Sequence, residues 1–117
     1  MSECIFCRIA AAEVSADVVY ASETTVVFRD LAPQAPVHLL VIPREHHESA
    51  AEMAALDALG FSDLFLAVAE VTRETGLDAA GYRVATNVGE HAGQEVAHLH
   101  LHVLGGERLR SLGRARA

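Results

Sequence analysis

The composition of the chain limits both its size class and its partners. With 117 residues, 51% of them hydrophobic, the chain is long enough for one domain with a buried core. Only 5% of the residues are aromatic, so aliphatic side chains must fill most of that core. The formal net charge of −7 argues against a general nucleic-acid-binding protein, which normally presents a basic face. A small phosphorylated ligand is still compatible with this charge, because a single polar pocket can bind it.

Neither the hydropathy pattern nor the cysteine content points to a membrane or secreted protein. No apolar stretch approaches the roughly 20 residues of a membrane span, and the N-terminal sequence lacks the pattern of a signal peptide. Cys4 and Cys7 are the only cysteines, and their spacing is poor for a structural disulfide. We therefore expect a cytoplasmic protein without membrane association.

The N-terminal half is predicted to form a short helix followed by three strands. Cys4–Ala12 is interpreted as a short helix or turn. The β-branched runs Val18–Tyr20 and Thr25–Phe28 are separated by the turn-like segment Ala21-Ser22-Glu23, which predicts a hairpin. Prolines make Asp30–Pro36 a loop, and the apolar run His38–Ile42 predicts a strand that the next proline ends.

The C-terminal half is predicted to form one long helix and two further strands. Met53–Thr75 has helical composition and length, with Gly76 as its C-terminal stop and Gly60 as a break or kink in its first part. Tyr82–Asn87 and His98–Leu104 are predicted strands. Strands separated by one long helix indicate an α+β fold with an antiparallel sheet.

The last predicted strand carries histidines at alternate positions, His98, His100 and His102. Side chains alternate between the two faces of a strand, so the three imidazoles are expected to share one face. The apolar residues between them share the other face and are expected to pack on the long helix. A purely structural strand would rarely present three imidazoles in a row, so the histidine face is predicted to meet a ligand or a metal.

Two kinds of chemistry fit such a face. Neutral imidazoles are good ligands for zinc, but positions i and i+4 of a strand are roughly 13 Å apart, too far to share one ion. Alternatively, the central His100 attacks phosphorus while its neighbours hold phosphate oxygens or adjust its proton. An imidazole is partly neutral and hence nucleophilic near neutral pH. We favour the second interpretation because it gives the middle position a specific role.

Several separated motifs resemble the histidine-triad superfamily, and in particular its Hint branch of nucleotide-binding proteins. The resemblance covers about residues 4 to 106 and implies the HIT-like fold, in which an antiparallel sheet of about five strands packs with one long helix and a short N-terminal helix. The matching segments are Cys4-Ile5-Phe6-Cys7, Asp30 through His38, Val41-Ile42-Pro43, Asn87, Gly93-Gln94, and His98 through Gly106.

The resemblance implies hydrolysis of purine nucleoside phosphoramidates, such as AMP joined to an amine, with no cofactor required for catalysis. His100 would be the nucleophile and form a nucleotidyl-histidine intermediate. His98 would support it through its backbone carbonyl, and His102 would contact the phosphate. His38 would belong to a proton relay on the neighbouring strand.

The resemblance also assigns the nucleotide-binding residues. Asp30 would accept hydrogen bonds from the ribose hydroxyls, and Asn87 would hold the phosphate together with backbone amides near Gly93 and Gln94. The residues implied to line the base pocket are Ile5, Phe6, Ile9, Phe28, Leu31 and Leu40.

Glu95 departs from a common pattern of the family, in which a serine at this place binds the phosphate. A carboxylate would repel the phosphate unless it is protonated or turned away, although the Glu95 amide could serve instead. Glu95 therefore motivates one alternative, a regulatory module that binds AMP or GMP with little turnover. A further alternative is a dinucleoside polyphosphate hydrolase of the related Fhit branch, although the Cys4-to-Cys7 start and the Gly105-Gly106 ending favour Hint.

Cys4 and Cys7 suggest a second site. Taken alone, this spacing is weak evidence, because such cysteines are also found as buried small residues or redox pairs. The resemblance implies a structural zinc ion, whose ligands would be Cys4, Cys7, His46 and His98. His47 and His91 are predicted to lie on the surface.

The resemblance further implies a homodimer that forms through the long helix and a strand. Residues 1–106 are predicted to be a single domain of this family. Residues 107–117 are predicted to be an Arg-containing tail, either disordered or at the dimer interface.

Overall fold

The computed structural model describes residues 3–112 and contains one 5-stranded sheet. The strands are β1 (Val18–Ala21), β2 (Thr25–Arg29), β3 (Val37–Pro43), β4 (Tyr82–Ala85) and β5 (Leu101–Gly105). The helices are α1 (Ile5–Ala10), α2 (Ala50–Leu56), α3 (Ala58–Thr75) and α4 (Leu77–Ala80), with a 3-10 turn at Glu90–Ala92. All strand pairs are antiparallel, in the order β1-β2-β3-β5-β4, which confirms the α+β fold.

The two faces of the sheet are both buried, but against different partners. On one face, side chains of β2, β3 and β5 pack against α3, and this layer includes Leu99, Leu101 and Val103 as predicted. On the other face, Phe6 and Ala10 of α1 pack against a second apolar cluster that includes Phe28. The histidine face of the last strand therefore lies on the α1 side of the sheet.

Strand register explains how His38 and His102 come together. β3 pairs with β5 so that Leu40 lies opposite His102 and His38 lies opposite Leu104. Directly opposed residues share a face of the sheet, and so do residues two apart on one strand. His38 and His102 are thus diagonal neighbours on the α1 side.

The predicted helix over Met53–Thr75 is wrong at its N-terminal end, because the chain forms two helices that meet at Asp57. Asp57 has non-helical dihedral angles (φ −150°, ψ 76°), and its side chain accepts from the Gly60 amide at 2.9 Å as the N-cap of α3. The break therefore lies at the capping aspartate and not at Gly60. The end of α3 at Gly76, which has a φ of 78°, is confirmed.

The two C-terminal strands are shorter than predicted. β5 begins at Leu101, where its pairing with β3 ends at the Val41–Leu101 pair although β3 continues to Pro43. The Leu99 amide donates instead to the His47 carbonyl at 2.6 Å. β4 ends at Ala85, and the Thr86 hydroxyl donates to the His100 carbonyl at 2.9 Å.

Two further predictions concern membrane association and the boundary between domain and tail. Among the helices of residues 3–112, none is both long and apolar enough to span a bilayer. The division into a domain at 1–106 and a tail at 107–117 stays a prediction. Within that tail, residues 113–117 lie outside the described residues.

Candidate active site

A cavity of about 440 Å³ opens between α1, the loop after β2 and the loop after β4, on the histidine side of the sheet. It brings together most of the residues that the sequence singled out. Gln94 and His98 do not line it. The predicted residues that do line it are Ile5, Phe6, Ile9, Phe28, Asp30, Leu31, His38, Leu40, Asn87, Gly93, Glu95, His100 and His102.

His100 is held with one ring nitrogen bound and the other available. Its Nδ1 lies 2.8 Å from the His98 carbonyl oxygen, which can only accept, so Nδ1 carries the proton. In the neutral ring Nε2 then has a bare lone pair. His100 is only 7% exposed, and the Phe6 ring packs edge-on against it at a centroid distance of 5.1 Å. The orientation of the ring is therefore fixed by the backbone on one side and by packing on the other.

His38 and His102 form a hydrogen-bonded pair with a defined direction. The Gln34 amide donates to His38 Nδ1 at 3.1 Å, so the His38 proton lies on Nε2. This Nε2 lies 2.8 Å from His102 Nδ1 and 3.4 Å from Asp30 Oδ2. His102 Nδ1 accepts, and the His102 proton is consequently on Nε2. The pair thus gives the cavity a neutral N–H donor beside His100, whose ring centroid is 5.1 Å from that of His102.

The electrostatics of the site favour neutral imidazoles. Burial lowers the pKa of His38, although the nearby Asp30 carboxylate acts in the opposite direction. Burial also lowers the pKa of His102, and the neighbouring His100 and His38 lower it further. Both rings are therefore neutral at physiological pH, as the directed hydrogen bonds require.

Asp30 and Leu31 shape the rim of the cavity. The Asp30 side chain folds back so that Oδ1 accepts from the Ala32 amide at 2.8 Å. Asp30 Oδ2 approaches His38, a contact that the sequence did not reveal. Leu31 is 97% exposed, so it lies at the mouth of the cavity and not within its apolar wall.

The loop after β4 is braced by Gln94. Its Oε1 accepts from the Gly89 amide at 2.9 Å, and its Nε2 donates to the Glu48 and Val96 carbonyls at 2.7 and 3.0 Å. The side chain of Gln94 therefore stabilises the loop that carries Gly93 and Glu95. Glu95 itself is exposed at the edge of the cavity.

The predicted zinc ligands also converge, at the N-terminal end of α1. The ligand atoms of Cys4, Cys7, His46 and His98 all lie within 4.8 Å of one another. His98 Nδ1 is 3.3 Å from Cys4 Sγ and 3.5 Å from Cys7 Sγ, and His46 Nδ1 is 3.3 Å from Cys7 Sγ. His98 Nε2 donates to the Pro43 carbonyl at 2.9 Å, which leaves Nδ1 for the thiol side.

Burial acts on the titration of His98. The ring is fully buried, and burial lowers the pKa of His98 to about 4. A neutral imidazole with its lone pair directed at two thiols is the form that a metal requires.

Sequence reasoning missed three groups and misjudged a fourth. The Gln34 amide, the Pro43 carbonyl and the Thr86 hydroxyl each set the orientation of a histidine or of its backbone. Two of the three are backbone atoms, which carry no signal in side-chain patterns. His47, predicted to lie on the surface, is buried at 4% exposure, whereas His91 is exposed as predicted. The His47 carbonyl accepts from the Leu99 amide, which holds this loop against the segment that carries the three histidines.

A second and larger cavity, of about 590 Å³, lies away from the histidines. It is bounded by α4, the start of β4 and the segment after β5, including Tyr82 and Arg83. No histidine, cysteine or aspartate lines it, so the histidine-lined cavity is the better candidate for a catalytic site.

Comparison with known proteins places this geometry in a family. The family profile described as "HIT domain" matches residues 11–109. The chain belongs to the HIT family. It is 36% identical over 107 residues to the purine nucleoside phosphoramidase of Escherichia coli strain K12. That alignment covers 92% of this chain and 90% of that protein.

Solved structures of HIT proteins agree with the fold. A HIT family hydrolase from Legionella pneumophila superposes with a TM-score of 0.90 at 37% identity, covering 94% of this chain and 98% of that one. A histidine triad nucleotide-binding protein from Candida albicans gives a TM-score of 0.80 at 28% identity, covering 96% and 87%. These relatives confirm the predicted HIT-like fold and the predicted likeness to the Hint branch, and they support a hydrolase class for this HIT protein.

Proposed function

We propose that this HIT protein hydrolyses purine nucleoside phosphoramidates through His100. The observation that carries the proposal is the bare Nε2 of His100, fixed by the His98 carbonyl at the wall of a cavity that has both polar and apolar sides. A neutral, oriented imidazole is a competent nucleophile. The Escherichia coli relative is named for this activity, at 36% identity.

In the first step, His100 Nε2 attacks the α-phosphorus and the P–N bond to the amine breaks. The leaving amine takes a proton from solvent, while the N–H of His102, oriented by His38, donates a hydrogen bond to a phosphate oxygen. In the second step, water attacks the nucleotidyl-imidazole, the bond to His100 breaks, and the monophosphate leaves. The proton that the water loses passes to solvent, and His100 Nε2 regains its lone pair. Two moderate barriers replace one high barrier, which is the general advantage of a covalent intermediate.

The cavity supports a consistent placement for the nucleotide. The purine fits against Phe6 and Phe28, whose rings meet edge-to-face at 5.6 Å. Asp30 accepts from the ribose hydroxyls, because a carboxylate has lone pairs beyond those that Ala32 and His38 approach. Asn87 binds the phosphate beside His100. The Gly93 and Gln94 amides already donate to the Glu90 and Gly89 carbonyls, so the Glu95 amide is the backbone donor that remains for the phosphate.

The decisive experiment compares His100→Ala with the native chain on an adenosine phosphoramidate, with guanosine and dinucleoside polyphosphate substrates in parallel. We expect turnover to fall by more than about 10³-fold, while calorimetry still detects AMP binding. Trapping of a nucleotidylated native protein, absent from the variant, would locate the intermediate. Undiminished turnover by His100→Ala would refute the proposal.

A binding module with little turnover is the second candidate, and the position of Glu95 favours it. An exposed carboxylate at the edge of the cavity opposes the developing negative charge at phosphorus. Micromolar AMP or GMP binding together with negligible turnover of every substrate would select this candidate over the hydrolase.

We also propose that zinc binds to the thiol set, comprising Cys4, Cys7, His46 and His98. Two thiols and two imidazoles form a closed structural donor set, and their ligand atoms are close enough to share one ion. Bound zinc would tie α1 and the loop after β3 to the segment that carries His100. Metal analysis should find a thiol-dependent zinc, so that Cys4→Ser with Cys7→Ser binds one zinc per chain fewer than the native protein. A metal-free native protein purified from zinc-supplemented medium would contradict the assignment.

A further inference from the structure

His47 is a buried imidazole whose outer nitrogen is not satisfied. The residue is only 4% exposed, and among residues 3–112 its Nε2 has no hydrogen-bond partner. Glu45 Oε1 lies 2.9 Å from this Nε2, but the contact lacks hydrogen-bond geometry. A buried polar atom without a partner is costly and calls for a ligand.

Two carboxylates converge on the same nitrogen. The ligand atoms of Glu45, His47 and Asp57 all lie within 4.8 Å of one another. Asp57 is fixed there because its Oδ1 caps α3 on the Gly60 amide. Gly60 in turn leaves the space that the carboxylate occupies, since a Cβ on Gly60 would lie 2.2 Å from Asp57 Oδ2. His47 is thus buried, Asp57 is held by its helix cap, and Glu45 is exposed and free to adjust its position.

We propose that Glu45, His47 and Asp57 bind a divalent first-row transition-metal ion. Imidazole and carboxylate together suit ions of the series from Mn²⁺ to Zn²⁺. Two donors that are each about 2.1 Å from one ion, at right angles, are themselves about 3 Å apart. The separation of His47 Nε2 and Glu45 Oε1 matches this spacing. Water completes the coordination on the exposed side of Glu45.

This second metal site is distinct from the thiol set, although one short loop contributes to both. His46 turns toward Cys7, while its neighbours Glu45 and His47 turn toward Asp57. The two donor sets differ in softness, because only one contains sulfur. An ion on the second site would join the loop after β3 to the α2–α3 junction. The His47 carbonyl also holds the Leu99 amide, so the same ion would brace the backbone next to His100.

The test uses the native full-length chain, stripped of metal and titrated with MnCl2, with free Mn²⁺ followed by its EPR signal. Manganese is chosen because thiolate sites disfavour it. We expect saturable binding of one Mn²⁺ per chain, and at least a tenfold loss of affinity in both His47→Gln and Glu45→Gln. Glu48→Gln, an exposed carboxylate on the same loop, should bind as the native chain does.

The other outcomes are equally decisive. Absence of saturable binding by the native chain would overturn the proposal, and so would binding that His47→Gln and Glu45→Gln leave unchanged. Binding that disappears in Cys4→Ser with Cys7→Ser would place the ion in the thiol set and would also overturn it. Should His47→Gln fail to fold, Glu45→Gln decides alone, because the Glu45 side chain is 71% exposed. Native protein should show a rise in Tm with Mn²⁺ that Glu45→Gln lacks.

Discussion

His38 Nε2 lies 2.8 Å from His102 Nδ1, and this hydrogen bond joins β3 to β5 on the histidine side of the sheet. Its direction follows from the Gln34 amide, which occupies the other nitrogen of His38. His38 therefore determines which nitrogen of His102 carries a proton, without reaching the phosphorus itself. It is a positioning residue in the proposed mechanism.

Replacing His38 with Leu should lower kcat by about 10²-fold, because the proton on His102 loses its fixed position. KM should change much less, since His38 lies behind His102. Nitrogen NMR of the imidazoles should show that His102 no longer keeps its proton on Nε2 alone. His91→Gln, a change at an exposed histidine, should alter neither quantity. If His102 still kept its proton on Nε2 alone in His38→Leu, His38 would not be what determines the position of that proton.

Stability should fall as the pH is lowered. Burial holds the pKa values of His38 and His102 below 6.5 in the folded state, so the unfolded chain binds protons more readily. The contribution of these two histidines to the free energy of unfolding is therefore fully present above about pH 6.5. It is lost as the pH falls toward their lowered pKa values in the folded state. Urea unfolding of metal-free protein at about pH 7.5 and about pH 5.5 measures the effect. A double variant with Gln at both positions should show a shallower pH dependence, and His91→Gln an unchanged one.

Glu95→Gln should tighten AMP binding by about two- to fivefold, because it removes one exposed negative charge near the phosphate. The gain should shrink at high salt, where exposed charges are screened. Calorimetry at low and high ionic strength checks both statements. Glu90→Gln changes a nearby exposed carboxylate that does not line the histidine cavity, and it should have a smaller effect. Weaker binding by Glu95→Gln would mean that the carboxylate assists the ligand.

Gly60→Ala should destabilise the fold by about 1 kcal/mol, because the new Cβ displaces the capping carboxylate of Asp57. In an Asp57→Ala background the same change should be neutral or stabilising, since alanine favours helix more than glycine does. Urea unfolding of the native chain, Gly60→Ala, Asp57→Ala and the double variant completes this double-mutant cycle. An equal loss in both backgrounds would show that Asp57 is not the obstacle.

A homodimer should form through α3 and the edge strand β4. Leu59 and Leu66 lie seven residues apart on α3 and are 84% and 64% exposed, which is unusual for a face without a partner. Sedimentation equilibrium should give twice the chain mass, and Leu66→Glu should give monomers. Val18→Glu, on the opposite edge strand β1, is the matched control and should leave the dimer intact. A monomeric native chain would refute this prediction.

The sequence predicted the parts of the fold that depend on periodicity and terminating residues. The hairpin, the two faces of the triad segment and the end of α3 at Gly76 follow from such local signals. The division between α2 and α3 at Asp57 also had a local signal, since an aspartate three residues before Gly60 can cap a new helix. The start of α2 before Met53 had a similar signal in the pair Ser49 and Glu52, which has the spacing of a capping box. In the structure the Glu52 amide donates to the Ser49 hydroxyl at 3.2 Å.

Other features depend on contacts that no local pattern encodes. Pro43 lies 55 positions from His98, and only the folded sheet brings its carbonyl to that imidazole. The loop that carries the buried His47 is likewise held by a distant residue, since its carbonyl accepts from the Leu99 amide. The residues of the candidate site could be identified by resemblance, but their tautomers required the three-dimensional donors and acceptors around them.

The alternation along His98–Leu104 has a consequence for how this segment can vary. Leu99, Leu101 and Val103 complete the core beneath α3, while His100 and His102 face the cavity beside α1. Deleting or inserting a single residue would exchange the two faces, placing imidazoles in the apolar layer and leucines against the ligand. The segment can therefore accommodate changes of residue type but not of length, so its length is constrained simultaneously by stability and by chemistry.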